Sequence, residues 1–466
     1  MQLPLIKGNR KSKTGYRDNL PVNFTAVFYD IDGDQGYLLT HDGLTEFAQV
    51  NGKARGGWYS ERLNKHYRVS GNAFEEIATD GTVSVLGVIT GDDVVSFAES
   101  FNSIAIVASG HYYSWDGATL TDVLDPELGF PIDNTWFSQI FVFTDGEFVF
   151  HTDINNEQSI SPLKYSSSEF AADPVLGVAR RLDQIVAFNR YSIEWFYFNA
   201  SAGTGLSVLQ NIPNKTIRAG IVGTHCKCIL DDVFFILGGR KEESPSIHYV
   251  TGLSINSIAT REVDKIISEY NEAELSTVVM ETRVVDRDKF IIVHLPNETL
   301  LYNHTIAQQV GLNNAWSFVK TGISTDEPWR AKFGVFDPRI TKWIYGDTKE
   351  DKLGYLDQDS AAQYDEDSES ICYSPILSDL ERMSITEFEL DTMPGYSPKN
   401  VICFHSQSFD GVIYGTERSE VISSEDNYNT RFLVRDRTYV RDSFNYKFRV
   451  VSDSKVAFSD FKVKAV

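Results

Sequence analysis

Residues 289–303 read KFIIVHLPNETLLYN. The stretch predicts a strand, a tight turn and a second strand. Phe290, Ile292, Leu300 and Tyr302 fall on the two strands, and Pro296-Asn297 supplies turn chemistry between them. A hairpin of this kind is ordinary if it stands alone. Repeated along the chain, it dictates the fold.

It is repeated. VFFILGGRKEESPSIHYVTG (233–252), QIVAFNRYSIEWFYFNA (184–200), QIFVFTDGEFVFHTD (139–153), SIAIVASGHYYSWDGATL (103–120) and KHYRVSGNAFEEIATDG (65–81) read the same way, as does KWIYGDTKEDKLGYLDQD (342–359) further on. Asp145-Gly146, Ser109-Gly110 and Ser70-Gly71 are strong hairpin signals. Together with the opening stretch this makes seven copies, starting about 36 to 56 residues apart, which is the spacing of four-stranded propeller blades. GYLLTHDGLTEFA (36–48) reads as an extra hairpin or as outer strands of a neighbouring one. A small sheet cannot bury both faces alone, and stacking sheets around an axis solves this while leaving only short edges. The expected fold is therefore all-β. Residues 25–360 form a β-propeller of seven blades, with six as the alternative; a β-sandwich built of many hairpins is the competing architecture. Within 259–282, Val263, Ile266, Ile267 and Tyr270 lie at helical spacing, so a short helix is expected between blades, and Asn271–Glu274 opens another turn. From about 365 the pattern changes to short alternating strands without the blade hairpin, and 361–466 is read as a C-terminal β-sandwich.

Composition bounds the function. The 466 residues carry 65 acids against 43 Lys and Arg, a net charge of −22. Such a surface repels nucleic acid, which needs cations to displace its counterions. It suits a conduit better than a binder. Residues 1–17 are the exception, with Lys7, Arg10, Lys11, Lys13 and Arg17 and no acid; 1–24 is read as a basic N-terminal arm. Residues 351–370 carry seven acids and one Lys, as a solvated linker does. Four cysteines, Cys226, Cys228, Cys372 and Cys403, do not make a disulfide framework in a chain this long. No apolar run approaches the roughly 18 residues of a membrane span, and the polar start does not read as a signal peptide.

Searching for chemistry yields no catalytic, cofactor-binding or metal-ligating assignment. GxSxG, HExxH and the phosphate-binding GxxxxGK[ST] are missing from the sequence, and Gly203-Thr204-Gly205 lacks a third glycine and reads as a turn. Asp30-Ile31-Asp32-Gly33-Asp34-Gln35-Gly36 has alternating acids, but its glycine falls at loop position 7 and His41 stands where a calcium loop needs Glu. His225-Cys226-Lys227-Cys228 is a single CxC; in a strand both cysteines would point the same way, into the core. Ser408-Phe409-Asp410-Gly411 and Trp115-Asp116 resemble repeat motifs only faintly and read as turns. No enzyme and no cofactor is expected.

One resemblance runs along the chain. GIVGTHCKCILDDVFFILGG (220–239) and SIATREVDKIISEYNEAELSTVVMETRVVDRDKFIIVHLPNETLLYN (257–303) resemble the tail hub, or nozzle, proteins of short-tailed phages of the Salmonella type, also called packaged-DNA stabilisation proteins. Gly220–Lys227, Ser192–Phe196, Val279–Thr282, Ile292–Pro296, Leu20–Asn23 and Ser408–Gly415 carry the likeness, in the same order and at similar spacing, whereas roughly 30–180 shares little beyond the hairpin rhythm. The resemblance implies a structural virion protein assembled in the host cytoplasm into the virion tail. It implies a homohexameric ring below the portal and its adaptor ring that continues the DNA channel, helps retain packaged DNA, and carries tailspikes and a tail needle or plug. DNA would pass without sequence-specific binding. A glycan-binding or glycan-processing propeller is the alternative; it requires a carboxylate pair in the central pocket.

Overall fold

The computed structural model describes residues 2–4, 19–28, 36–154, 156–168, 170–199, 206–325, 327–376, 383–392, 397, 399–425, 428–429, 431–435, 438–440 and 443–465. Two compact units divide the chain. One comprises Glu46–Thr282 and Ala331–Tyr355; the other comprises Met1–Thr45, Arg283–Arg330 and Leu356–Val466.

The predicted hairpins are present, each as the second and third strands of a meander. In the first meander Lys65–Ser70 pairs with Ala73–Ile77, flanked by Ala54–Ser60 and Val83–Val88. The next centres on Ile104–Ala108 and His111–Trp115, with Ser109 and Gly110 both at positive φ in the turn. Ile140–Thr144 with Phe148–Asp153, Gln184–Asn189 with Ile193–Phe198, Val233–Gly239 with Ser246–Thr251, and Asp288–His294 with Thr299–Asn303 continue the series. In the opening stretch Phe290 faces Asn303, Ile292 faces Leu301 and His294 faces Thr299. The final hairpin, Lys342–Asp347 with Lys352–Asp357, sits in a sheet whose first strand is Ala331–Asp337 and whose fourth is Gly43–Gln49. Seven such sheets are present among the described residues. GYLLTHDGLTEFA is thus not a hairpin of its own. Tyr37–Thr40 pairs with Phe24–Val27 and Ala457–Ala465 instead.

The second strands explain why these meanders stack as a propeller. Ile104–Ala108 and Ile140–Thr144 are buried at every residue, and Val233–Gly239 at all but its first. A strand buried on both faces needs a neighbouring sheet on each side. The cores between successive sheets show this: Tyr67, Val69 and Phe74 pack with Ile104, Ile106, Tyr113 and Trp115, and Ala105, Val107 and Tyr112 pack with Phe141, Phe143 and Phe150.

The insertion contains two helices. Arg261–Ser268 is capped by the Thr260 side chain and buries Val263, Ile266 and Ile267, as their spacing requires. Glu272–Leu275 opens on a capping box formed by Asn271 and Glu274. Glu272 also bonds Arg190, in the turn of the 184–198 hairpin, at 2.6 Å.

The other unit holds two further sheets. Ser368–Tyr373, Asn445–Ser452, Val401–Ser408 and Arg418–Ser423 form one. Met383–Thr392, Phe432–Val434, Thr438–Val440 and Ala457–Ala465 join Gln2–Pro4, Phe24–Val27 and Tyr37–Thr40 in the other. Aromatic rings fill the space between them: Phe388 lies 4.3 Å from Tyr446, and Phe448 5.5 Å from Phe461. The C-terminal β-sandwich is therefore built with strands from the first forty residues. Edge position hides Arg418–Ser423 from a sequence reading, since its first four residues are exposed.

Buried imidazoles, His41, His66 and His151 among them, weaken the fold in acid. Burial lowers the His41 pKa to about 3 and those of His66 and His151 to about 4. The unfolded chain takes up these protons near pH 6.5, so the stability the neutral rings provide is complete above that pH and lost as pH falls towards 4. Each contributes roughly 1.4 kcal/mol per pH unit across its window. The urea midpoint should fall steeply between pH 6.5 and 4, and His151→Gln should flatten the slope; an unchanged slope in that variant would show that its imidazole is not neutral in the fold.

Candidate functional site

The first strands of the meanders differ from the second strands in composition. They carry glycine and charge where the others carry Ile, Val and Phe, because nothing packs inside the innermost strand of a propeller. Gly56, Gly57, Lys227, Cys228, Glu281 and Phe333 border a cavity of about 320 Å³ within the 46–282 and 331–355 unit.

Asp133 is the hub of the polar groups beside it. The carboxylate accepts from Ser96 Oγ at 2.9 Å, Val178 N at 2.9 Å and Lys227 Nζ at 2.7 Å. Four meanders thus meet at one residue. Lys227 also donates to Thr224 O at 2.6 Å. Gly177 makes the pair feasible: a Cβ there would lie 2.7 Å from Lys227 Nζ and 3.0 Å from Asp133 Oδ2.

A second carboxylate ties the last sheet into the wall. Phe333 sits at φ 59°, a left-handed conformation rare for an aromatic residue, inside a break of register between Lys332 and Val335. The bulge presents two successive N–H groups, the arrangement of an anion-binding nest. Glu281 fills it, accepting from Phe333 N at 2.6 Å and Gly334 N at 2.9 Å. Arg68, fully buried, holds the bulge from the other side through Phe333 O at 2.6 Å and Ile344 O at 2.7 Å.

The motifs singled out from sequence fall as follows. Cys226 precedes the strand Lys227–Leu230; its thiol donates to Leu275 O and Val278 O, and burial pushes its pKa up to about 12. Cys228 instead borders the cavity, so the two sulfurs do not share one environment. Among the described residues no group of three or more His, Cys, Asp or Glu could hold a metal. Asp410 accepts from Val412 N and Ile413 N, and Asp116 from Ala118 N and Thr119 N, the behaviour of turn residues. The 408–415 turn leaves Ile413 75% exposed. The basic residues Lys7 to Arg17, the acids of 30–35 and Gly203–Gly205 lie outside the described residues. Among the described residues no helix is long and apolar enough to cross a membrane.

Comparison with known proteins covers both architectures. Residues 1–361 match the family model described as bacteriophage P22 Gp10, β-propeller, and residues 369–466 match bacteriophage P22 Gp10, β-sandwich. The chain belongs to the P22 Gp10 family. The tail hub protein gp10 of Salmonella phage P22 is 28% identical over 482 residues, covering 99% of both chains. Two solved structures share less of this Gp10-family chain's sequence. PorZ of Porphyromonas gingivalis gives a TM-score of 0.39 at 12% identity, over 67% of this chain and 39% of its own. The N-terminal domain of Nup159 gives 0.40 at 9% identity, over 73% and 99%. Neither likeness establishes a fold by itself.

The Asp133–Lys227 pair has a measurable signature. Removing one member of a buried pair leaves the other charge uncompensated, at a cost of about 3–5 kcal/mol. Asp133→Ala should lower the unfolding free energy from urea titration by that amount, and Asp133→Ala combined with Lys227→Met should recover part of it. Additive losses in the double variant would deny the pairing.

Proposed function

We propose that the protein is the tail hub of a short-tailed phage, a structural virion component and not an enzyme. The observation that carries this is the collinear match of both domains to one family, with a tail hub protein matching end to end. On this reading six copies form a ring in the virion tail, assembled in the host cytoplasm. The ring continues the DNA channel of the portal and its adaptor, helps retain packaged DNA, and carries tailspikes and a needle or plug. We take the seven meanders as seven blades, and 1–24, 25–360 and 361–466 as arm, propeller and sandwich, with Gln2–Pro4, Phe24–Val27 and Tyr37–Thr40 lent to the sandwich sheet.

Physical chemistry supports the reading. A net charge of −22 lets DNA slide past without adhering. The cavity of about 320 Å³ cannot admit a duplex, whose major groove alone is about 12 Å wide and 8.5 Å deep. DNA would therefore pass between copies, through the lumen of a ring with heterologous contacts. The glycan alternative draws no comparable support: Glu281 is taken up by two backbone N–H groups and Asp133 by three donors.

Imaging the purified protein mixed with adaptor-capped portal tests the proposal. A six-fold ring extending the portal channel is expected, together with restored DNA retention when the protein is added to tailless heads. A monomer that neither attaches nor restores retention would overturn it. The five cations of residues 1–17 are assigned to the adaptor contact; deleting these residues should abolish loading, and undiminished loading would refute that assignment.

A further inference from the structure

We propose that the propeller has a built-in joint at one seam, between the sheet of 54–88 and the sheet of 331–355, which parts while the seams between the following sheets stay shut. The proposal does not depend on the hub role.

Packing is the first argument. Between the sheet of 54–88 and the next one, Tyr67, Phe74, Tyr113 and Trp115 are buried together. Phe141, Phe143 and Phe150 fill the seam after that. The seam towards 331–355 instead buries Ala48, Ile77, Ile344 and Leu353, with no aromatic ring among the four. Less apolar surface is returned to water when these sheets part, so parting them costs less.

The polar bonds across this seam are the second. Arg68 donates to Phe333 O at 2.6 Å and to Ile344 O at 2.7 Å. Arg339 reaches back to Ile77 O at 2.9 Å and bonds Asp337 in its own sheet at 2.6 Å. Water solvates such groups once the sheets part, whereas a ring such as Trp115 gains nothing from it. His66 supplies the trigger. Its Nε2 accepts from Arg68 Nε at 3.2 Å, and its Nδ1 lies 3.5 Å from Asp337 Oδ2. The charged groups about it are Asp337 and Arg339 from 331–355, Arg68 on its own strand, and Glu75, which pairs with Arg68 from the next strand. Burial lowers the His66 pKa to about 4, and a hydrated imidazole titrates near 6.5. Opening therefore takes up a proton below pH 6.5 and becomes easier as pH falls towards 4.

Thiol trapping in the full chain tests the joint. Ser70 is fully buried and shares the Arg68 face of its strand. Ala108 and Ala187 are buried in seams between other sheets. Ser70→Cys, Ala108→Cys and Ala187→Cys are small changes in volume. Alkylation of each by iodoacetamide is followed by peptide mass spectrometry, which separates the site from the four native cysteines, and is normalised to the urea-unfolded chain at the same pH. At pH 7.5 the Ser70→Cys site should open about a hundredfold more often than the other two. At pH 5.5 its opening should rise about tenfold further, and His66→Gln on the same background should remove that rise. Equal protection at the three sites overturns the proposal, as does opening at Ser70→Cys that ignores pH or a pH response that survives His66→Gln.

Discussion

Burial of the second strand on both faces is the constraint from which the rest of this structure follows. IAIVA at 104–108 and IFVFT at 140–144 have no residue to offer to water. A sheet containing such a strand is unstable unless another sheet covers each side. The cheapest arrangement is to repeat the sheet and stack the copies, so that every copy serves as cover for the next. The innermost strands then have no cover, and there the chain changes chemistry. Glycine and charge replace the branched apolar residues, and Asp133, Lys227, Glu281 and Arg68 bond the sheets to one another. Dispersion and apolar burial hold the sheets face to face, while directional hydrogen bonds fix their inner ends.

The apolar part of this design was legible in the sequence and much of the polar part was not. Hairpin turns such as Ser109-Gly110 and Asp145-Gly146 announce themselves because their chemistry is local. The helix 261–268 was visible from Val263, Ile266 and Ile267 for the same reason. By contrast, Asp133 and Lys227 stand 94 positions apart, and no local pattern links them. The left-handed bulge was concealed by a Phe at a position where positive φ usually calls for glycine. Tyr37–Thr40 looked like part of a hairpin because its alternation is correct for any antiparallel partner, and sequence alone does not name which. The HCKC run was conspicuous for its cysteines, yet the structure gives the principal role to the lysine between them. Family resemblance supplied the proposed function, since neither composition nor fold specifies an assembly partner.

The pairing of the first strands with the last has a kinetic consequence. Leu38 faces Phe458, and Gln2 faces Lys462. Gly43–Gln49 completes a sheet whose other strands begin at Ala331. These contacts span nearly the whole length of the polypeptide, and loops that long close late and slowly. During synthesis the early strands wait with open edges until their partner strand Ala457–Ala465 has been made. The nascent chain is thus exposed to mispairing over this long interval, and the early and late strands, once joined in one sheet, fasten each other against fraying.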